Sequence, residues 1–273
     1  MLSIYSGGVI LDDFIKKYGP WAVITGATSG TGYQFAHLLA EKGVHLVLVA
    51  RDERTLLQTK EMIRNQYHVQ VKTIATDLST SDSISEIKKV TRPLEVGLLI
   101  NNAGYSITGE FHCEDWENQS KLLETILKTP MALTHFFVNE MVKRGRGGVI
   151  LVSSAVAYTS VPLWSVYSAG KAALLNFGET ISQELKKYNV DVLTVCPGAM
   201  NTKFQERSGI NTPGLMEPEK VAILTLSSLG VKTSLLPGMT NSIIFQGLVR
   251  FLPKFIRLPL IESLMKKFQR QSK

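Results

Sequence analysis

Cysteine is scarce in this chain, which carries Cys113 and Cys196 among 273 residues. Two cysteines in separate predicted elements suggest no disulfide framework, and a reducing compartment is the default expectation. The five histidines show no metal-ligand spacing. His112 and Cys113 are adjacent, but a loop or the start of a helix explains this doublet better than a metal site. We therefore expect no bound metal.

Long apolar runs are also missing. No stretch of about 18 uninterrupted apolar residues exists, so a membrane-spanning helix is not expected. The N-terminus lacks the charged segment and long apolar stretch of a secretory signal, and no internal repeat or low-complexity segment appears. With 44% hydrophobic and 19% charged residues, the composition is that of a globular protein with a sizeable core. The expected location is cytoplasmic, with membrane association as a second interpretation.

Acidic residues are rare near the C-terminus. Residues 241–273 contain seven basic side chains and one acid, Glu262, which leaves about +1 of the net charge of +7 for the first 240 residues. The basicity is a property of this tail and gives no argument for a body that binds nucleic acid. We expect no nucleic-acid partner.

Apolar segments of strand length alternate with segments of helical periodicity. The six predicted strands cover residues 21–25, 45–50, 69–75, 97–100, 148–153 and 190–196, and long helices are predicted at 116–143 and 164–188. This alternation predicts an α/β fold with a doubly wound parallel sheet covered by helices on both faces. Such sheets bind ligands beyond the carboxyl ends of their strands. We expect one domain over residues 1–273, with a core of about 20–234 and a basic, apolar extension of about 235–273.

A glycine-rich turn follows the first predicted strand. Gly26, Gly30 and Gly32 lie between that strand and the first helix, where glycine permits a tight turn and close approach to a pyrophosphate. The start of the helix offers free N–H groups to phosphate. The spacing G-x-x-x-G-x-G is wider than the usual G-x-G-x-x-G fingerprint. The turn indicates dinucleotide binding, with an ordinary tight turn as the alternative.

Arg51 and Asp52 follow the second predicted strand. An acid at this place hydrogen-bonds the ribose 2′-hydroxyl of NAD, whereas an arginine accommodates the 2′-phosphate of NADP. Because Arg51 is the first residue after this strand, the sequence favours NADP as the cofactor. The presence of Asp52 leaves NAD as an alternative.

Tyr167 precedes Lys171 by four residues and follows Ser154 by thirteen. Tyrosine and lysine one helical turn apart can point at one site, and a nearby ammonium is expected to lower the pKa of the phenol. A phenol, an ammonium and a hydroxyl arranged in this way indicate a proton donor that works near neutral pH. The alternative is a surface tyrosine on an amphipathic helix.

These motifs, with Asn101-Asn102-Ala103-Gly104 and Pro197-Gly198 in the same order, resemble the short-chain dehydrogenase/reductase family over roughly residues 20–230. The resemblance implies a Rossmann fold, an oxidoreductase acting on CH–OH groups with NADP(H) or NAD(H), and a homodimer or homotetramer. It implies Tyr167 as catalytic acid/base, Lys171 as its partner and Ser154 as holder of the substrate carbonyl. The implied cofactor contacts are Gly26, Thr28, Ser29, Gly30, Thr31, Gly32, Arg51, Asp77, Asn102, Ala103, Gly104, Tyr167, Lys171, Pro197, Gly198 and Thr202.

Ile126 is the one departure from the family pattern. It stands 28 residues before Ser154, where family members usually carry an asparagine that completes a catalytic tetrad. Isoleucine can keep the main-chain carbonyl of that position but not the side-chain hydrogen bonds. A non-catalytic NADP-binding sensor or scaffold on the same fold is therefore the alternative function, and Ser154, Tyr167 and Lys171 argue against it.

Two short stretches, 17–26 and 240–242, resemble the branch of the family that contains ketoacyl-CoA reductases and steroid dehydrogenases. This resemblance implies a lipophilic, acyl or steroid-like substrate.

The segment 203–216 has no clear periodicity and follows the sixth predicted strand, where a substrate lid would form. Its apolar residues Phe204, Ile210, Leu215 and Met216, together with Leu163 and Trp164, are expected to line a lipophilic pocket.

The tail mixes apolar and basic residues, and Pro253 and Pro259 are expected to interrupt any long helix in it. Two interpretations of residues 241–273 have equal weight. The tail docks on an anionic membrane, or it forms a cap that folds over the domain or across a subunit contact.

Overall fold

A seven-stranded parallel sheet, in the order β3-β2-β1-β4-β5-β6-β7, forms the centre of the protein. The structure is a computed structural model that describes residues 13–212, 215–238 and 251–270. The strands are β1 Trp21–Thr25, β2 His45–Ala50, β3 Val71–Ala75, β4 Val96–Asn101, β5 Gly147–Val152, β6 Val190–Val195 and β7 Ser234–Leu235. The helices are α1 Gly30–Glu41, α2 Glu53–Gln66, α3 Asp82–Thr91, α4 Trp116–Leu123, α5 Thr129–Arg144, α6 Ser165–Leu185, α7 Lys203–Ser208, α8 Pro218–Ser228 and α9 Lys254–Arg270.

The central strands β1, β4 and β5 are buried at every position. Alternate residues of each strand point to opposite faces of the sheet, so Ile24 joins a core with α1, α2 and α8 while Val23 joins a core with α3, α5 and α6. This explains why the strands read as near-continuous apolar runs, as parallel strands covered on both faces do. The predicted fold class is confirmed.

The strand order reverses between β1 and β4, because the chain first moves outward to β2 and β3 and then returns to the other side of β1. In sheets of this kind a crevice forms outside the carboxyl ends of the strands at the reversal. The segments that follow β1 and β4 are the glycine-rich turn and the Asn102-Ala103-Gly104 motif, so both motifs meet at this crevice.

Several elements differ from the sequence-based expectation, among them helix α7 in the segment 203–216. The strand β7 was not predicted because it is two residues long, and it pairs with Thr194 and Val195 of β6. The helix α8, which packs on α1, was not predicted either. The long helix predicted at 116–143 is divided by a π-helical turn, Glu124–Lys128.

The prediction that prolines prevent a long helix in the tail was wrong. Helix α9 runs for 17 residues with Pro259 inside it. Near its start, the carbonyl of Pro253 accepts hydrogen bonds from the amides of Ile256 and Arg257 at 3.1 and 3.0 Å. A proline removes one N–H donor from the helix, and burial of Met265 against the body of the domain offsets that loss. The stretch 240–242 and residues 241–250 and 271–273 of the tail lie outside the described residues.

Candidate active site

A cavity of about 780 Å³ opens at the carboxyl ends of β1 to β6. Its floor is made by the segments that directly follow these strands, and α7 and α9 cover it. The predicted site residues that line it are Gly26, Thr28, Ser29, Gly30, Thr31, Arg51, Asp77, Asn102, Ala103, Gly104, Ser154, Tyr167, Lys171, Pro197, Gly198 and Thr202. The structure thus brings together residues that are up to 176 positions apart in the chain.

Gly32 is the predicted site residue that does not line the cavity, and it lies directly behind the glycine-rich turn. A Cβ atom at this position would stand 2.2 Å from the carbonyl oxygen of Gly26 and 2.5 Å from Nδ2 of Asn102. Gly26 itself has φ of +67°, a conformation that L side chains rarely adopt. The turn therefore depends on glycine for its shape, and its shape brings the start of α1 to the cavity.

Asn102 holds the turn in place. Its Nδ2 donates to the carbonyl oxygens of Thr25 and Gly26 at 3.0 and 3.2 Å, and its Oδ1 accepts from the hydroxyl of Thr31 at 2.8 Å. The side-chain amide thus ties the end of β1 to the first turn of α1. Since the first N–H groups of a helix have no partner within the helix, this braced turn presents donors and a partial positive charge to the cavity. The residues present fit the pyrophosphate of a dinucleotide.

Arg51 and Asp52 differ in what their side chains do. Asp52 is the N-cap of α2, and its Oδ1 accepts a hydrogen bond from the amide of Thr55 at 2.6 Å. This hydrogen bond lowers the pKa of the Asp52 carboxyl. Arg51 is exposed and lines the cavity near Asp77, whose carboxylate accepts from the amide of Ser79 at 2.9 Å. The carboxylate of Asp52 is thus engaged in helix capping.

Tyr167, Ser154 and Lys171 converge where β5 ends and α6 begins. The Tyr167 side chain is 5% exposed and its pKa is affected by Ser154, the residue just before the 3₁₀ turn Ala155–Tyr158. The Nζ of Lys171 lies 5.8 Å from the centre of the Tyr167 ring and donates to the carbonyl of Val152 at 2.7 Å. The hydroxyl of Ser153 donates to the carbonyl of Lys171 at 2.8 Å. Main-chain atoms of β5 and α6 therefore help to position the three groups.

Burial dominates the acid–base properties of this group. It raises the pKa of Tyr167 to about 12, against the lowering effect of the hydrogen bond from Ser154. Burial also lowers the pKa of Lys171 to about 8. In the polypeptide by itself the pKa of Tyr167 is thus raised, not lowered as expected for the site next to an ammonium, because the loss of hydration outweighs the effect of Ser154.

Ile126 lies in the π-helical turn and is fully buried. A Cβ atom added to Gly170 would stand 2.8 Å from its Cδ1, and one added to Gly104 would stand 3.6 Å from its Cγ2 and 3.6 Å from Nζ of Lys171. The Ile126 side chain thus fills the space between these glycines close to the lysine. Turns of the π type are often found at functional sites, and here the turn is present with an apolar side chain at its centre.

The roof of the cavity comes from three parts of the chain. The indole Nε1 of Trp164 donates to the Thr108 hydroxyl at 2.7 Å, and that hydroxyl donates to the carbonyl of Ser208 in α7 at 2.7 Å. The rings of Trp164 and Phe204 lie 5.3 and 5.8 Å from the Tyr167 ring, centre to centre. An aromatic wall therefore surrounds the phenol.

Some lid residues were predicted correctly and others were not. Phe204, Ile210 and Trp164 line the cavity, but Leu163, Leu215 and Met216 do not. Met216 instead packs against the core beneath α1. The residues of the tail that line the cavity were missed, and they are Leu252, Arg257, Leu260, Ile261, Leu264, Met265 and Phe268. The signal that points to them is the apolar spacing of residues 257 to 268, which Pro259 obscures because proline disfavours a helix.

Cys113 is exposed, Cys196 is buried, and both are free thiols. Glu110, His112 and Cys113 place one ligand atom each within 4.8 Å of one another on an exposed turn. The sequence did not predict this grouping, because it depends on the 3₁₀ turn Phe111–Cys113.

Comparison with known proteins agrees with this geometry. A family model described as short chain dehydrogenase matches residues 20–212. The very-long-chain 3-oxoacyl-CoA reductase of Rattus norvegicus is 30% identical over 267 residues, which cover 94% of this chain and 84% of the relative. The 7beta-hydroxysteroid dehydrogenase of Mediterraneibacter gnavus is 30% identical over 236 residues, which cover 83% of this chain and 89% of the relative.

Solved structures show the same architecture. A structure from work on 7beta-hydroxysteroid dehydrogenase stereoselectivity matches with a TM-score of 0.82 at 24% identity, covering 95% of this chain and 98% of the other, and this likeness shows the fold. A short-chain dehydrogenase from Sphingobium yanoikuyae in complex with NADPH matches with a TM-score of 0.77 at 27% identity, covering 86% of this chain and 97% of the other. The chain thus belongs to the short-chain dehydrogenase/reductase family, whose members are nicotinamide-dependent oxidoreductases of CH–OH groups.

Proposed function

We propose that this protein catalyses NADP(H)-dependent interconversion of a lipophilic ketone and its secondary alcohol. The observation that carries the proposal is the convergence of Ser154, Tyr167 and Lys171 on an apolar cavity that also contains the glycine-rich turn. Two similar proteins are named for acyl-CoA and steroid substrates, both largely apolar. An acyl or steroid-like substrate fits the same lining.

The proposed roles follow from the positions of the three side chains. The bound nicotinamide supplies or accepts the hydride. In the direction of reduction, the Ser154 hydroxyl donates a hydrogen bond to the carbonyl oxygen, and the Tyr167 phenol gives its proton to that oxygen as negative charge develops. The Lys171 ammonium lies over the Tyr167 ring, 5.8 Å from its centre, where a positive charge favours the phenolate that remains.

The wild-type protein tests this proposal against a non-catalytic role. NADPH oxidation is followed at 340 nm with a panel of 3-oxoacyl thioesters and oxosteroids, and cofactor affinity is measured separately by calorimetry. Turnover of at least one ketone at a rate abolished by Tyr167→Phe supports the enzyme. Tight NADPH binding without turnover of any panel member favours the sensor or scaffold, for which Ile126 in the tetrad position is the supporting feature.

The preference for NADP(H) over NAD(H) rests on Arg51. Its guanidinium lines the cavity at the end of β2, whereas the carboxylate of Asp52 is engaged with Thr55. Arg51→Gln should weaken NADPH binding by about 10- to 100-fold and leave NADH binding unchanged, since a hydrogen-bonded charge pair contributes roughly 1.5–3 kcal/mol. Dissociation constants for both cofactors, measured by calorimetry, check this.

The matched control is Arg54→Gln, which removes the same charge from an exposed position on α2 outside the cavity. It should leave the affinity for both cofactors as in the wild type. An equal loss of NADPH and NADH affinity in Arg51→Gln, or no loss of either, would show that Arg51 does not read the 2′-phosphate.

Contact with an anionic membrane surface is a further part of the proposal. Within the described residues, no helix is long and apolar enough to cross a membrane. Helix α9 exposes Phe255 (78%), Ile256 (48%) and Leu260 (53%), and Lys254, next to Phe255 in the chain, is exposed as well. Exposed apolar residues with lysines are typical of helices that lie in the interface.

Sedimentation with phosphatidylserine vesicles tests this contact. We expect binding at low salt that weakens several-fold at high salt, because the lipid charge is screened, and that falls further in Phe255→Ser. Phe111→Ser is the control, since Phe111 is 57% exposed elsewhere on the protein. Equal sedimentation of wild type and Phe255→Ser, or no binding at all, contradicts the membrane contact. The homodimer or homotetramer expected from the family stays a prediction.

A further inference from the structure

The part of the cavity beneath α7 and α9 combines an apolar lining with positive charge. Ile261, Met265 and Phe268 of α9 contribute apolar surface, and the two arginines Arg207 of α7 and Arg257 of α9 also line it. Arg207 is exposed and Arg257 is half-buried, with its Nε atom buried. The lining therefore offers a cationic group inside an otherwise apolar wall.

The acids of the cavity lie elsewhere. Among the described residues that line it, the aspartates are Asp52 and Asp77. They follow β2 and β3, beside Arg51, and their carboxylates accept hydrogen bonds from the amides of Thr55 and Ser79. The region covered by α9 thus has a positive electrostatic character, and an anionic group is attracted more strongly there than in water.

Arg257 lies on the face of α9 that covers the cavity. It shares this face with Ile261, Met265 and Phe268, which follow at spacings of four, four and three residues. Met265 packs in the same apolar cluster as Tyr167. Eight residues separate Arg257 from Met265, which is about 12 Å along a helix axis or the length of roughly eight to ten methylene groups. Because Tyr167 and Arg257 line the same cavity, a substrate whose carbonyl faces Tyr167 can extend along the inner face of this helix toward Arg257.

We propose that Arg257 binds the acidic group of an elongated, apolar keto or hydroxy acid whose carbonyl faces Tyr167 in the same cavity. The acidic group is a carboxylate or a phosphate, and Arg257 sets specificity without touching the reacting atoms. The inference rests on the proposed function for the carbonyl chemistry, and it adds the second anchor of the substrate.

The test is a binding measurement on the full chain with matched acidic and neutral probes. Calorimetry compares 10-oxooctadecanoate with its methyl ester in the presence of NADP⁺. The wild type should bind the acid about 10- to 100-fold more tightly than the ester, the range expected for one hydrogen-bonded charge partner. Arg257→Gln should bind both probes with the affinity that the wild type shows for the ester.

A second pair of probes separates the two sources of the anionic group. The CoA thioester of a 3-oxo fatty acid carries phosphates, and the N-acetylcysteamine thioester of the same acid does not. A preference for 10-oxooctadecanoate over its methyl ester that depends on Arg257 would show that Arg257 binds a carboxylate. A preference for the CoA thioester over the N-acetylcysteamine thioester that depends on Arg257 would show that it binds phosphate. If neither pair shows a preference, the proposal is overturned.

Lys267→Gln is the matched control, because Lys267 is an exposed cation of the same helix that does not line the cavity. It should keep the wild-type preference for the acid. An Arg257→Gln protein that loses affinity for NADP⁺ instead of the keto acid would assign the arginine to the cofactor and sink the proposal. Melting curves of all variants check that each is folded.

Binding and turnover are read separately, so the two proposals can fail separately. Arg257-dependent binding of the keto acid without NADPH-dependent reduction of it would contradict the proposed oxidoreductase function and leave the anion site standing. If wild type and Arg257→Gln reduce neutral and acidic ketones with equal kcat/KM, the oxidoreductase function is supported. The same result contradicts the proposal that Arg257 binds the acidic group.

Discussion

Tyr167→Phe should bind NADPH with the affinity of the wild type and lose turnover by about 100- to 10,000-fold, the usual contribution of a positioned acid or base. The substitution removes one hydroxyl and keeps the ring that packs against Trp164 and Phe204. Its effect on the free energy of unfolding should be no more than about 1 kcal/mol, because at most the interaction of one hydroxyl with Ser154 is lost. Single-turnover rates at 340 nm and calorimetric NADPH affinities measure the two effects.

Tyr188→Phe provides the control for this experiment. Tyr188 is 41% exposed and follows the end of α6, far along the chain from Tyr167. Its loss of a hydroxyl should leave turnover at the wild-type rate. A Tyr167→Phe protein that reduces its best ketone at the wild-type rate would remove Tyr167 from the mechanism.

Lys171→Met should make the cofactor-free protein more stable while it lowers kcat by at least about 100-fold. Lys171 is 4% exposed and its pKa is lowered to about 8 by burial, so at pH 7 the fold holds a charge away from water. Removing that charge should raise the free energy of unfolding by roughly 3 kcal/mol, the value that corresponds to the pKa change. Loss of the hydrogen bond to Val152 should lower the free energy of unfolding by about 1 kcal/mol. We expect a net gain of about 1–3 kcal/mol in the free energy of unfolding at neutral pH.

The pH dependence of this gain has a definite sign. Below about pH 8 the lysine is charged in the folded and the unfolded chain, and the wild type carries the full penalty. Between about pH 8 and the ordinary lysine pKa of 10.5, the unfolded chain binds more protons than the folded one, so wild-type stability rises with pH. The difference between wild type and Lys171→Met should therefore shrink across this window.

Urea unfolding at pH 7, 9 and 10 measures the difference, with Lys186→Met as control. Lys186 is an exposed lysine just beyond α6, so its replacement should leave stability and its pH dependence unchanged. A Lys171→Met protein that is less stable than the wild type at pH 7 would mean that the buried ammonium is held by favourable interactions that exceed its desolvation.

The floor of the site could be predicted from the sequence because each of its parts directly follows a strand. Parallel strands bring their carboxyl ends to one edge of the sheet, so the position of Gly26, Asn102 and Pro197 in the chain already implied their meeting. Strands of five or six apolar residues are also clear signals, whereas β7, with two residues, has too little sequence to give a pattern.

The roof could not be predicted in the same way. Met265 packs in one cluster with Tyr167 and Ile210, contacts between distant parts of the chain that no local pattern encodes. Pro259 disfavours a helix locally, and packing of the inner face overrides that preference. The raised pKa of Tyr167 could not be predicted for a related reason. The nearby lysine is visible in the sequence, whereas burial, which raises this pKa, depends on the whole fold.

The chemistry and the recognition proposed above belong to separate pieces of this chain. The groups proposed to move the proton stand on β5 and α6, fixed by contacts such as that between Ser153 and the main chain of Lys171. The surface that meets the rest of the substrate comes largely from α7 and α9, which lie outside that framework. Substitutions in the covering helix can therefore redirect which molecules are accepted while the reaction itself is preserved, and natural variation in substrate range should concentrate there.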